Sequence, residues 1–346
     1  MKIALHLNEK MFKHASVWIP ECKAYCEENG HECDVISCYD SDIIEKLRGY
    51  DAVLWTMQNY VKADIMEARS ILYSAKQMGL KIFPDYNTSW HFDDKIAETY
   101  LLQAVNAPLP KSWVFYLEDE CVNFLENEAK YPLVAKLRCG SGANNVVLLH
   151  NVKEAKKYAK AMFRDGGFSP APKALYKAYS KAQSSNSLSV MINRIKKIPD
   201  FMRTLSNAKK MAREANYCYF QEYIENDGFD IKVVVVGDKL IPYFRNARKG
   251  DWRASGGGDK VFDHERVTEQ VIKTSFDVYD KCGFQVIGFD YVVDKNTGEG
   301  IIIEISYGTN YGDLTLVGGY FDRDCKWHED KNLSAPKEII DYVLKN

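Results

Sequence analysis

The stretch Tyr219–Ser255, YFQEYIENDGFDIKVVVVGDKLIPYFRNARKGDWRAS, decides the fold. It alternates β-prone runs with turns, and successive side chains of a strand point to opposite faces. If Gly237-Asp238 is a two-residue hairpin turn, counting back along both strands sets Asp230 opposite Arg245. We therefore predict a hairpin with charge on one face and an apolar core on the other.

Three further features of this stretch bear on function. Lys232 shares the charged face with Asp230. Pro242 cannot donate to a strand ladder, so we expect the second strand to be an edge or to be bulged there. The loop that follows combines a glycine run with basic residues, a composition that suits an anion: Arg248, Lys249 and Arg253.

Composition limits the class of protein. The chain has 346 residues, is 46% hydrophobic and carries a net charge of −2, which is typical of an ordinary globular protein of two or three domains. This overall charge does not indicate nucleic acid as a partner. None of the nine cysteines forms a CxxC pair, so neither a disulfide framework nor a zinc site is indicated. With no signal peptide and no apolar run long enough to span a membrane, we expect a cytoplasmic protein.

Residues 1–90 alternate short apolar runs with amphipathic segments, which predicts a mostly parallel, Rossmann-like sheet. The segment after the first run, NEKMFKHASVW, has no GxGxxG glycines. A dinucleotide needs such glycines for close approach of its pyrophosphate, so NAD binding is not expected.

Two lysines stand at positions that suit phosphate. Residues 87–104 read as one capped helix, and Lys95 in its first turn opposes the helix dipole, so it either pairs with Asp93 or Asp94 or reaches toward an anion. Lys136 precedes the glycine-rich connection CGSGANN between two predicted strands, 133–138 and 146–149. Such a loop can fold its N–H groups over phosphates, although a flexible loop is the simpler reading, and no GxxxxGK[ST] motif occurs.

Residues 166–216 contain ten basic residues and two acidic ones, with apolar residues at helical spacing. The pattern predicts amphipathic helices inserted between two lobes. A solvated basic face is the reading we favour, and a cap that recruits an anionic acceptor is the alternative.

The run VIGFDYVVDKNTGEGIIIEIS predicts a second hairpin, centred near Thr297. Its register sets Asp290 opposite Glu304, with Ser306 on the same face. Facing carboxylates repel each other unless a pKa rises or a cation binds, and rigid oxygen ligands suit Mg²⁺ carried by a nucleotide.

In this order the motifs resemble the ATP-grasp superfamily, in particular the ribosomal protein S6 glutamate ligase and glutathione synthetase branch. The resemblance covers about residues 80–310. It implies a fold of two α+β lobes that clasp ATP, preceded by a Rossmann-like domain, so α/β and α+β together. We accordingly predict three domains: 1–90, 91–218 with the insertion, and 219–346.

The resemblance also implies roles for individual residues. Phosphates would be bound by Lys95, Lys136 and the loop Gly140-Ser141-Gly142. The hinge Gln221-Glu222-Tyr223-Ile224 would hold adenine, Asp230 the ribose, and Lys232 would also contact the nucleotide. The catalytic residues would be Arg245 and Arg253, which stabilise the transferring phosphoryl group. One or two Mg²⁺ ions would be held by Asp290, Glu304 and Ser306.

One position departs from the resemblance. These ligases usually show Glu-x-Asn where this chain has Glu304-Ile305-Ser306, so the second metal ligand is a hydroxyl or is supplied elsewhere, for example by Asn310. The segments FDDK, DWRASGGG and EISYG also resemble an ATP-grasp group of bacterial surface-polysaccharide loci. This resemblance implies a glycan carboxylate as the substrate.

The expected activity is an ATP- and Mg²⁺-dependent carboxylate–amine ligase that forms an amide through an acyl phosphate. Its carboxylate would belong to an amino acid, a peptide or a glycan. A degenerate nucleotide-binding scaffold and a carboxylate kinase are the alternatives. The substrates and the oligomeric state are left open by the sequence.

Overall fold

The computed structural model describes residues 1–7, 17–59, 61–140, 145–169, 202, 206, 212–247, 252–253 and 259–346. The chain divides into two compact units. Unit 1 comprises Met1–Gln58, Ala63–Pro110 and Ile224–Asn346, and unit 2 comprises Asn59–Lys62 and Lys111–Tyr223. The first predicted domain thus shares a unit with most of the third, and the unit boundaries after Pro110 and Tyr223 differ from the predicted ones after 90 and 218.

The N-terminal part of unit 1 is a four-stranded sheet in the order β2-β1-β3-β4. All three of its strand pairs are parallel, as the alternation of strands and helices predicted. The central strands are buried because their side chains are apolar on both faces. The elements are β1 (Lys2–His6), α1 (Trp18–Glu28), β2 (Glu32–Ile36), α2 (Ile43–Leu47), β3 (Ala52–Leu54), α3 (Lys62–Gln77) and β4 (Lys81–Phe83).

The single helix predicted over residues 87–104 is wrong. The structure has two helices there, α4 (Tyr86–Ser89) and α5 (Lys95–Ala104). Between them Asp93 adopts a left-handed backbone with φ of 57°, which a continuing α-helix does not allow. Asp94 then begins α5, because its carboxylate accepts from the amide of Ala97 at 3.0 Å.

Unit 2 contains a four-stranded antiparallel sheet in the order β5-β8-β6-β7. The two strands around the glycine-rich connection pair as expected, although the first ends at Lys136 and not at Arg138. The basic segment predicted to be helical lies almost entirely outside the described residues. The elements are β5 (Ser112–Phe115), α6 (Glu118–Asn127), β6 (Leu133–Lys136), β7 (Val146–Leu149), α7 (Val152–Phe163) and β8 (Cys218–Glu222).

The second sheet of unit 1 has seven strands in the order β13-β12-β9-β10-β14-β15, with β11 also paired to β10. Gly237 closes the β9–β10 hairpin with φ of +56°, a conformation that glycine adopts without strain. The elements are β9 (Phe229–Val236), β10 (Lys239–Asn246), β11 (Lys260–Val261), α8 (Glu269–Cys282), β12 (Val286–Val293), β13 (Gly300–Ser306), α9 (Tyr311–Leu314), β14 (Gly319–Phe321), β15 (Trp327–Glu329) and α10 (Ala335–Lys345).

The environment of Pro242 differs from the expected edge or bulge. β10 is an interior strand that pairs with β9 along its whole length. On its other side it pairs with β14 at Leu240 and with β11 at Phe244 and Arg245. Pro242 lies between these two short pairings, so its missing amide interrupts neither ladder.

The two sheets of unit 1 belong to one apolar core. Polar contacts also join the segments around the two sheets: the amide of Met57, after β3, donates to the hydroxyl of Tyr307, after β13, at 2.9 Å, and the hydroxyl of Tyr25 on α1 donates to Asp341 on α10 at 2.8 Å. Within the part of the chain that the structure describes, no helix is both long and apolar enough to cross a membrane.

Candidate functional site

A row of charged side chains crosses four neighbouring strands of unit 1. Asp230 on β9 stands opposite Arg245 on β10, as counting from the turn predicted. Asp290 on β12 stands opposite Lys232 on β9. We call these four residues the ionic cluster. On the far side of β12, Asp290 also faces Glu304 of β13, which confirms the second predicted register.

Arg245 connects the two acids of the ionic cluster. Its Nε lies 3.0 Å from Oδ1 of Asp230, its Nη2 also contacts Oδ2 of Asp230, and Nη2 lies 2.7 Å from Oδ2 of Asp290. The Nζ of Lys232 lies 2.8 Å from Oδ1 of Asp290. Burial would raise the pKa of Asp290, but the charges of Arg245 and Lys232 outweigh it and hold that pKa below its ordinary value. Asp290 is therefore an ionised carboxylate at neutral pH.

The geometry of Asp230 argues against the ribose contact assigned to it. Its side chain is 0% exposed, and both carboxylate oxygens accept from Arg245. A carboxylate so enclosed cannot reach a nucleotide sugar while these contacts persist. Asp230 instead fixes the direction in which Arg245 points.

Lys95 pairs with a residue that the sequence did not suggest. Its Nζ lies 3.3 Å from Oε1 of Glu304, on β13. Burial would lower the pKa of Lys95, but the charges of Glu304, Glu98 and Asp93 outweigh it and raise that pKa. Lys95 is thus a buried, charged ammonium beside Glu304, and the charge of Asp93 also acts on it.

Glu98 is a further buried acid at this place and was missed in the sequence. It lies one helical turn after Lys95, on the same face of α5, and an oxygen of its carboxylate accepts from the amide of Ile305 at 3.4 Å. Burial raises the pKa of Glu98 well above its ordinary value, although Lys95 opposes this. The i, i+3 spacing from Lys95 was the only signal available.

The donors expected for Mg²⁺ are oxygen ligands on one hairpin. Asp290 and Glu304 are directly opposed, and a register shift follows Asp290. The hydroxyl of Ser306 accepts from the amide of Gly308 at 3.2 Å, and Asn310 begins α9 without a side-chain capping bond. No group of three or more His, Cys, Asp or Glu suited to a metal occurs among the described residues. Two carboxylates nevertheless fit Mg²⁺, which usually takes one or two and completes its shell with phosphates and water.

Gly288 makes room for the ionic cluster. A Cβ added there would lie 2.9 Å from the carbonyl oxygen of Ser306 and 3.0 Å from Nζ of Lys232. Any larger residue would displace the backbone of β13 or the lysine that holds Asp290. The sequence gives no sign of this constraint, because it arises between strands distant along the chain.

Unit 2 contains most of the other residues that were expected to contact the phosphates and the adenine. Lys136 ends β6 and is buried, and Gly140 has a φ of +109°, which L side chains rarely adopt. In the hinge, Gln221 is buried and donates to the hydroxyl of Ser112 at 3.1 Å, whereas Glu222 is exposed. Tyr223 is half-buried, as is Ile224, the first hinge residue of unit 1.

Several expected site residues lie outside the described part of the chain: Ser141, Gly142, Arg248 and Lys249. Arg253 is described and half-buried. The structure thus brings Lys95, Lys232, Arg245, Asp290 and Glu304 together in unit 1.

Comparisons with known proteins agree with this architecture. Residues 183–311 match the model of the RimK-like ATP-grasp domain. The α-aminoadipate–LysW ligase of Saccharolobus solfataricus is 20% identical over 270 residues, which are 75% of this chain and 78% of that protein.

Two solved structures share the fold. One is a RimK-domain ATP-grasp protein of Sphaerobacter thermophilus, with a TM-score of 0.55, 14% identity, and coverage of 99% of this chain and 100% of that one. The other is the D-alanine–D-alanine ligase of Bacillus anthracis complexed with ATP, with a TM-score of 0.56, 14% identity, and coverage of 100% and 96%. The fold is therefore the ATP-grasp fold.

Within this fold, residues 183–311 are similar to the RimK-like ATP-grasp domain.

Proposed function

We propose that this chain is an ATP- and Mg²⁺-dependent carboxylate–amine ligase. A substrate carboxylate oxygen attacks the γ-phosphorus of ATP, and ADP leaves. The amine nitrogen then attacks the carbonyl carbon of the acyl phosphate, phosphate leaves, and the amine loses a proton. The observation that carries the proposal is the joining of Arg245, Asp290 and Glu304 across neighbouring strands, with Lys95 against Glu304.

Arg245 is suited to stabilise the transferring phosphoryl group. Two carboxylates fix its guanidinium, and its side chain retains 16% exposure, so it can meet a ligand without reorganising. Arg253 is proposed as the second such residue. Catalysis then rests on positioning and charge neutralisation, with no protein nucleophile.

The remaining residues are proposed to hold ATP. Lys95 and Lys136 bind its phosphates, Gly140-Ser141-Gly142 covers them, and Gln221 to Ile224 contact the adenine. Lys232 would neutralise Asp290 and contact the nucleotide, and Asp230 would orient Arg245.

Asp290 and Glu304 are the proposed ligands of Mg²⁺, with Ser306 or Asn310 as the third. A bound Mg²⁺ would supply positive charge that neutralises the phosphates of ATP. Because Lys95 and Lys232 already pair with these carboxylates, binding of the ion must displace or share those contacts.

The identity of the acid is open to an amino acid, a peptide or a glycan carboxylate such as a uronic acid. The basic residues between 166 and 216 would favour an anionic acceptor. One alternative is a nucleotide-binding scaffold, which Ser306 favours because it stands where the ligases usually have asparagine. The other alternative is a carboxylate kinase that releases the acyl phosphate.

The test is ADP and phosphate release with Mg-ATP, across pooled amines, amino acids, peptides and acidic sugars. Glu304→Gln is the test variant. Glu299→Gln is the matched control, because it makes the same chemical change at an exposed position of the same hairpin. Turnover that needs both an acid and an amine, is lost in Glu304→Gln and persists in Glu299→Gln supports the ligase.

Other outcomes separate the alternatives. Turnover that needs the acid but is unchanged by any amine identifies a carboxylate kinase. ATP binding without turnover in every pool favours the scaffold. Absence of ATP binding contradicts the proposal altogether.

A further inference from the structure

Glu214 is a buried acid of unit 2 to which the proposed chemistry assigns no role. It is 5% exposed, and its carboxylate accepts from three neighbours. The Nη2 of Arg138 lies 3.0 Å from its Oε1, the Sγ of Cys139 lies 3.3 Å from Oε1, and the hydroxyl of Tyr217 lies 2.7 Å from Oε2. Two of these neighbours are the residues that lead from β6 into the glycine-rich loop.

The contact with Tyr217 extends to the backbone of that loop. While Tyr217 donates its proton to Glu214, its oxygen accepts from the amide of Arg138 at 2.7 Å. Burial and the neighbouring Glu214 charge raise the pKa of Tyr217, so its hydroxyl stays protonated. Glu214 thus holds Arg138, which precedes the loop, directly at its side chain and through Tyr217 at its amide.

Glu214 is itself fixed from the opposite side. Its backbone forms two hydrogen bonds of 2.9 Å with Phe168. A Cβ on Gly167 would lie 1.9 Å from the carbonyl oxygen of Glu214, so only glycine permits this approach. Arg213 adds contacts from its guanidinium to the carbonyl oxygens of Gly166 and Gly167. Glu214 is therefore anchored to residues 166–168.

We infer that Glu214 is a positioning residue, which holds Arg138 and Cys139 at the entry to the loop that is proposed to bind the ATP phosphates. The inference rests on the proposed function, because it takes ATP as the ligand. The chemistry favours this positioning role over a purely structural one. A buried carboxylate that accepts from a cation, a hydroxyl and a thiol has lost its hydration, and this costs free energy that apolar packing would avoid.

The experiment compares the full-length wild type with Glu214→Ala, Glu214→Gln and Glu118→Gln. Glu118 pairs with Arg164 on the surface of the same unit and is the matched control. Hydrogen exchange at the amide of Arg138 reports the loop entry directly. Calorimetric titration with MgATP and, separately, with adenosine distinguishes phosphate contacts from base and sugar contacts.

For Glu214→Ala we expect faster exchange at Arg138 and about tenfold weaker MgATP binding, with adenosine binding unchanged. Glu214→Gln, which keeps the volume and an acceptor for Tyr217, should restore part of the loss. Equal weakening of both ligands, or unchanged exchange at Arg138 in both Glu214 variants, overturns the inference. If the wild type binds no MgATP, the proposed function fails and the positioning role for ATP fails with it, whatever the exchange at Arg138.

Discussion

Among the described residues, Arg245 is the only one whose side chain contacts both buried acids of the ionic cluster, Asp230 and Asp290. Replacing Arg245 by methionine removes both contacts. Asp230 is 0% exposed and Asp290 is 10% exposed, so neither can recover its hydration. Breaking a buried ion pair by removing one partner costs about 3–5 kcal/mol. We therefore expect Arg245→Met to lower the free energy of unfolding by about that amount.

The assay is urea unfolding followed by circular dichroism, with Lys345→Met as the control. Lys345 pairs with Asp341 at an exposed helix end, where an ion pair contributes at most about 1 kcal/mol. Adding Asp230→Asn to Arg245→Met removes the stranded charge and should recover about 1–3 kcal/mol. A loss below about 1 kcal/mol for Arg245→Met, or no recovery in the double variant, would refute the reasoning.

Two further predictions concern the core of unit 1. Gly288→Ala should lower the free energy of unfolding by about 1–3 kcal/mol, since the new methyl group meets the backbone of β13 and the ammonium of Lys232; Gly49→Ala, where the nearest atom is 3.8 Å away, should change little. His91 is 0% exposed, neither ring nitrogen has a partner among the described residues, and burial lowers its pKa to about 3. Below pH 6.5 His91 binds a proton in the unfolded chain but not in the folded chain. The free energy of unfolding therefore falls by up to about 1.4 kcal/mol per pH unit, down to about pH 3. His91→Leu should flatten that acid slope in urea titrations, and exposed His150→Leu should not; equal slopes in both variants would count against the burial argument.

The sequence predicted the hairpins well because their register depends on short-range rules. A two-residue turn at Gly237 and strict alternation were enough to pair Asp230 with Arg245. The same counting paired Asp290 with Glu304. The parallel order of β1 to β4 followed from the spacing of strands and helices alone.

Contacts between distant segments escaped prediction. Glu304 as the partner of Lys95 depends on how α5 packs against β13, and nothing in the local pattern indicates it. The burial of Asp230 was missed for the same reason, because alternation gives the face of a side chain but not what covers that face. Glu214 lies in a segment that basic composition dominates, so a single acid there carried no signal.

The most direct test of the proposed chemistry follows an oxygen atom. The acid that supports turnover is labelled with oxygen-18 in its carboxylate, and the phosphate released with the amine present is analysed by mass spectrometry. Formation of an acyl phosphate transfers an oxygen from the carboxylate to the departing phosphate, so we predict oxygen-18 in the phosphate in proportion to the amide formed. Phosphate free of label would contradict carboxylate activation by this protein.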